Sequence, residues 1–195
     1  MHRVFIPVLF IIAGALSGIA QEPAPPTKVD RPVLNSYEPD AENPFGSLNP
    51  KARVETAQFE FMVGTFDCTD LIREPSSGKW YESKSVWTSK YILNGTAIQD
   101  SYWSPITVAT STRVFDQSKK KWVVTYLQTI PGIGSGVWEG EKEGKNMVMR
   151  QKRGENESRL TFSNITENSF DWIGENVGKN GTASGWKISC KRREK

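Results

Sequence analysis

Trp80-Tyr81-Glu82-Ser83-Lys84-Ser85-Val86-Trp87-Thr88-Ser89-Lys90-Tyr91-Ile92 alternates along its length: Tyr81, Ser83, Ser85, Trp87, Ser89 and Tyr91 share one side of an extended chain, while Glu82, Lys84 and Lys90 share the other. A period of two belongs to a half-buried β-strand, because successive side chains leave opposite faces of the pleat. The face carrying aromatics and serines is the one expected to look inward. Similar runs of Thr, Val, Ile and aromatics continue from Gly64 to the C-terminus. They are broken by turn chemistry at Pro75 to Gly78, Leu93-Asn94-Gly95, Ser104-Pro105, Gln117 to Lys120, Pro131 to Gly134, Glu143-Gly144, Gly154 to Asn156, Thr166 to Asn168 and Gly178 to Gly181. These breaks separate ten expected strands, near 65–74, 79–92, 96–103, 107–116, 121–130, 135–143, 146–153, 157–165, 169–177 and 183–192. No helical period interrupts them, so the domain reads as all-β and antiparallel.

Ten short strands in a meander leave two unpaired edges unless the first and last strands pair, and pairing them closes a barrel. Closure brings Cys68 near Cys190, the two cysteines of the chain. A bridge between them would close most of the domain into one loop, which the chain-entropy estimate values at about 4 to 5 kcal/mol. The alternative is a pair of buried thiols. Upstream, Asn49 as cap, Pro50 at the first helical position and Val54, Ala57 and Phe61 at helical spacing predict a short helix over about 51–61.

The first twenty residues have the pattern of a cleaved signal peptide: a basic start at Arg3, an apolar stretch from Val4 to Leu16, and small residues Gly18 and Ala20 before Gln21. The apolar stretch is shorter than the ~20 residues of a spanning helix. Cleavage after Ala20 predicts a periplasmic or secreted protein with no membrane span, in a compartment that permits the disulfide. Residues 21–50 hold prolines 23, 25, 26, 32, 39, 44 and 50 and few large apolar side chains, so they are expected to form a disordered linker, leaving 51–195 as the folded domain.

Composition excludes more than it assigns. Twenty-five basic against 22 acidic residues give a net charge of +3, too small to imply nucleic acid as a partner. The one histidine, His2, lies in the expected leader, so a Ser/His/Asp or Cys/His catalytic group and His-ligated zinc or haem are excluded from the mature chain. Gly132, Gly134 and Gly136 lack the following helix that a phosphate cradle requires. No cofactor and no metal site is expected.

Several motifs carry a family likeness. Phe59-Glu60-Phe61-Met62-Val63-Gly64-Thr65-Phe66 resembles the opening of lipocalin-like barrels, where a short helix leads through a Gly-x-Trp turn into the first strand; here Phe66 stands in the tryptophan's place. Leu93-Asn94-Gly95, Arg113-Val114-Phe115-Asp116, Lys119-Lys120-Lys121-Trp122 and Cys190-Lys191-Arg192-Arg193 follow in an order similar to a secreted bacterial family of unknown function with a lipocalin-like barrel. The likeness implies that Arg192 packs over Phe66 as a structural clasp. A related family binds haem through a histidine, and that property does not carry over.

The predicted site lies inside the barrel. Tyr81, Trp87, Tyr91, Tyr126 and Trp138 sit beside small polar residues, a lining that leaves room where Leu, Ile and Val would fill it. Arg113 shares a strand face with Thr107, Ala109, Ser111 and Phe115; if inward, it needs an anion from the protein or from a ligand. The leading expectation is an exported barrel that binds a small, partly apolar molecule, anionic if Arg113 selects it, without transforming it. Two alternatives stay open. One is a histidine-free hydrolase or isomerase using Arg113 with interior carboxylates drawn from Asp67, Asp70, Asp100, Asp116, Asp171 and Glu175. The other is a barrel that serves only as a surface interaction module.

Overall fold

The computed structural model describes residue 41 and residues 44–194; the expected leader and most of the proline-rich segment lie outside the described residues. Ten strands follow one 3-10 helix, Val54–Met62: β1 Gly64–Arg73, β2 Trp80–Ile92, β3 Ala97–Trp103, β4 Val108–Asp116, β5 Lys121–Ile130, β6 Gly134–Glu143, β7 Asn146–Arg153, β8 Asn156–Ser163, β9 Ser169–Gly178 and β10 Gly181–Arg192. Each pairs antiparallel with the next, and β1 pairs with β10, so the sheet is a closed barrel. In the β1–β10 register Cys68 stands opposite Cys190, and the two are joined in a disulfide. Closure leaves no free edge among these strands, which is the physical gain of the meander.

The N-terminal elements differ from expectation. Asn49 does not cap a helix: its Oδ1 accepts the backbone N–H of Lys51 at 2.8 Å in a local turn, and the helix starts later, at Val54. Val54, expected on the buried face, is 83% exposed. The buried residues are instead Thr56, Phe59 and Met62. That is a repeat of three, the period of a 3-10 helix, so an α-helical reading of the spacing misplaces Val54, while Phe61 is partly buried against Phe162 and Phe170 as expected. The end of the proline-rich stretch is also packed: Gly46 bridges to Tyr91, and the Asn49 N–H donates to Gly95 O at 3.3 Å.

The helix plugs one end of the barrel. The Phe59 ring meets Trp122 edge-on at 4.9 Å between centroids, and Trp122 Nε1 donates to Gln58 Oε1 at 3.0 Å. Arg192 secures this end: its guanidinium lies 4.6 Å from the Phe66 ring centroid and donates to the carbonyls of Val63, Phe61 and Glu167. Gly64 makes the approach possible. Its φ is +117°, and a Cβ there would stand 2.5 Å from Arg192 Nη1. Following the meander, the turns 74–79, 104–107, 131–133, 154–155 and 179–180 all lie at the opposite end, where no further element is found among the described residues.

Candidate functional site: an interior cavity

Between the plug and the open end the barrel encloses a cavity of about 240 Å³. Its wall is largely aromatic, from Trp87, Tyr102, Tyr126, Trp138, Trp172 and Trp186, with Val124, Met149, Leu160 and Ile188 filling between them. Edge-to-face contacts fix the rings: Trp87 on Tyr102 at 5.5 Å, Tyr126 on Trp138 at 5.9 Å and Trp172 on Trp186 at 5.5 Å. Gly136 gives Trp138 its space, because a Cβ there would stand 2.6 Å from that ring.

The residues predicted for the site divide by depth. Trp87, Arg113, Tyr126 and Trp138 line the cavity. Tyr91 is buried on the same face of β2 but belongs to the plugged end, where its hydroxyl donates to Thr56 O at 3.4 Å. Tyr81 keeps the expected parity yet is 44% exposed, because the first residues of β2 run past the cavity to the rim. Tyr102, Trp172 and Trp186 were not foreseen. Tyr102 is followed by the exposed Trp103, and two adjacent aromatics leave the phase of a strand unreadable from type alone.

Two acidic clusters face inward. Arg113 Nη1 donates to Asp100 Oδ2 at 2.5 Å, with both residues 3% exposed. Asp100 also accepts the Ser111 N–H at 2.7 Å and the Ser111 hydroxyl at 2.9 Å. The Arg113 guanidinium lies 5.3 Å from the Phe59 ring centroid, so the pair sits at the cavity floor above the plug. The anion that Arg113 requires is therefore supplied by the protein. Nearer the open end, fully buried Asp70 accepts the hydroxyls of Ser85, at 2.8 Å, and Tyr102. Burial pushes the Asp70 carboxyl above the usual range, and hydrogen bonds from Tyr102 and Ser85 offset this only in part. Burial, with Asp70 alongside, also drives the Tyr102 hydroxyl far up.

The other carboxylates considered for catalysis lie elsewhere. Asp67 pairs with Arg193, Asp116 accepts the turn amides of Ser118 and Lys119, Asp171 accepts from Asn164, and Glu175 pairs with Arg159. Within the wall, Tyr126 donates to Gln128 Oε1 at 2.7 Å, and Trp138 Nε1 to Ser158 Oγ at 3.4 Å. Trp87 Nε1 and Arg113 Nε are buried donors with no acceptor among the described residues.

The state of Asp70 has a measurable consequence. A carboxyl that holds its proton more tightly when folded favours the fold below its unfolded value, near pH ~3.9, and this contribution is lost as pH rises through the raised folded value. Asp70→Asn keeps one acceptor for the hydroxyls and removes the charge. Its stability relative to the wild type should improve between pH 4 and pH 7 in urea unfolding. A difference that does not change with pH would contradict the assignment.

Fold and cavity together define a closed ten-strand antiparallel barrel with one plugged end and an interior cavity, consistent with the lipocalin-like expectation. No family model and no curated protein matches the chain. Among solved structures, it is similar to an S-type phycobiliprotein lyase from Guillardia theta, at 10% identity over 73% of this chain and 99% of that one, with a TM-score of 0.47. It is also similar to a protein of unknown function of the DUF3598 family from Nostoc punctiforme, at 6% identity over 72% and 100% of the two chains, with a TM-score of 0.26. Likeness at this level assigns no activity, so the functional reading rests on the cavity.

Proposed function

We propose that this protein is exported and binds a small, uncharged, largely apolar molecule inside the barrel. The observation that carries the reading is the cavity itself: a void walled by interlocked aromatic rings rather than filled by them. A dry cavity of about 150 Å³ admits benzene. On that scale 240 Å³ suits a ligand of about ten heavy atoms and is too small for haem or a long acyl chain. The expectation of an anionic ligand drawn by Arg113 is replaced by a neutral one, since a ligand anion would have to displace Asp100 from its hydrogen bonds. The buried carboxylates support binding over hydrolysis or isomerisation, because Asp100 and Asp70 are already committed to protein donors. The disulfide suits an oxidising compartment, as the leader also suggests.

Tryptophan fluorescence titrated with acetophenone, an uncharged ring bearing a carbonyl, tests the reading. Trp87→Ala, which removes a ring from the cavity wall, should weaken binding severalfold. Ala109→Leu, which fills the cavity from β4, should abolish it. Unchanged affinity in both variants would place the binding elsewhere.

A further inference from the structure

The chain carries no charged side chain between Ser101 and Thr112, or again between Trp122 and Trp138. These two stretches are hairpins of adjacent strands, β3–β4 and β5–β6, and both turn at the open end of the barrel. Their outward side chains are uncharged, and six of them are large, apolar and exposed: Trp103, Ile106, Leu127, Ile130 and Val137, with Ile133 at the second hairpin tip 91% exposed, interspersed with the exposed hydroxyls of Ser101, Thr125, Thr129 and Ser135. Scattered surface apolar residues need no explanation, but an uncharged strip rich in large apolar side chains across four neighbouring strands at one end has the composition of a docking surface. It lies outside the cavity and is independent of the ligand reading.

The charges around the strip indicate what it meets. Arg73 and Lys79 flank it on the β1–β2 side, and Lys152 and Arg153 on the β7–β8 side. None of these four has a carboxylate partner among the described residues. Of the nearby carboxylates, Glu82 pairs with Lys84, Glu155 with Lys179 and Glu157 with Arg150; Glu74, which accepts the Ser77 hydroxyl, keeps its charge, so one carboxylate stands against the four cations. A strip of large apolar side chains with an exposed tryptophan, bracketed by cations that no carboxylate neutralises, is complementary to a bilayer whose headgroups are anionic. A second copy of the chain is the poorer match, because a twofold contact through the strip would bring equal flanking charges together. We propose that the open end of the barrel docks on an anionic membrane surface through the β3–β6 hairpins, with Ile133 and Trp103 in the headgroup layer.

Vesicle co-sedimentation tests this with the protein as its source organism processes it, using phosphatidylcholine vesicles with and without phosphatidylglycerol. Binding should be at least tenfold tighter to the anionic vesicles and should weaken with added salt. Ile133→Asp should lower it tenfold or more, about the worth of one buried aliphatic side chain. Lys152→Glu should lower it severalfold. Leu93→Asp, an exposed apolar position at the plugged end, should leave it unchanged. Equal binding to both vesicle types, or binding indifferent to Ile133→Asp and Lys152→Glu, would overturn the proposal. So would a concentration-dependent dimer that Ile133→Asp dissolves in the absence of vesicle binding.

Discussion

Arg113→Met should lower the stability of the barrel by about 3–5 kcal/mol, the usual cost of stranding one member of a buried ion pair. The charge left behind is Asp100, 3% exposed at the cavity floor. Its remaining bonds, from the Ser111 N–H and hydroxyl, are neutral donors and do not replace a guanidinium. Adding Asp100→Asn to Arg113→Met removes the stranded charge and keeps an acceptor for the Ser111 N–H, so the double variant should recover most of the loss. Urea unfolding of the wild type, both single variants and the double variant measures the coupling directly. A single variant costing less than about 1 kcal/mol, or a double variant no better than Arg113→Met, would mean that the pair is not buried as described.

The disulfide carries the second large effect. Cys68 and Cys190 are 122 residues apart, so the bond ties the first strand to the last and constrains nearly the whole unfolded barrel. The chain-entropy ceiling for a loop of this length is about 5 kcal/mol, and removing such a bond from a domain typically costs about 2–5 kcal/mol. Cys68→Ala with Cys190→Ala should show a loss in that range by urea unfolding. The wild type in reductant should fall to nearly the same midpoint. Equal stability of reduced and oxidised protein would show that β1–β10 pairing holds without the bond.

Much of the fold is legible in the sequence because its signals are local. Strand β5 ends at Lys121 and Ile130 as its turn residues and alternation predict, and β7 and β10 are placed within two residues. Closure followed from the cost of open edges, and the cysteine pairing from closure. The helix was misread because a three-residue and a 3.6-residue period differ little over nine residues, and only packing on Trp122 decides which face is buried.

The site was half legible for a different reason. Alternation tells inside from outside but not depth. Tyr81, Trp87 and Tyr91 share one face of β2 and lie at the rim, in the cavity wall and in the plugged end, respectively. Depth depends on where the plug stops, which is a tertiary fact. The partner of Arg113 is subtler. In the β3–β4 register Arg113 stands opposite Ile98, while Asp100 stands opposite Ser111, so the ion pair is diagonal and moves with any change in turn length. Of the seven tryptophans, only 87, 138, 172 and 186 line the cavity; Trp122 seats the plug, and Trp80 and Trp103 stand outside. Residue type alone does not separate these three roles.

Methyl-resolved nuclear magnetic resonance with acetophenone tests the central claim most directly, because the cavity wall carries its own reporters. Saturable shifts should appear at the methyls of Val124, Met149, Leu160 and Ile188 and be absent at the outward Leu71 and Val114. Shifts confined to the outward methyls, or no saturable shift in the cavity wall, would contradict a ligand-binding interior.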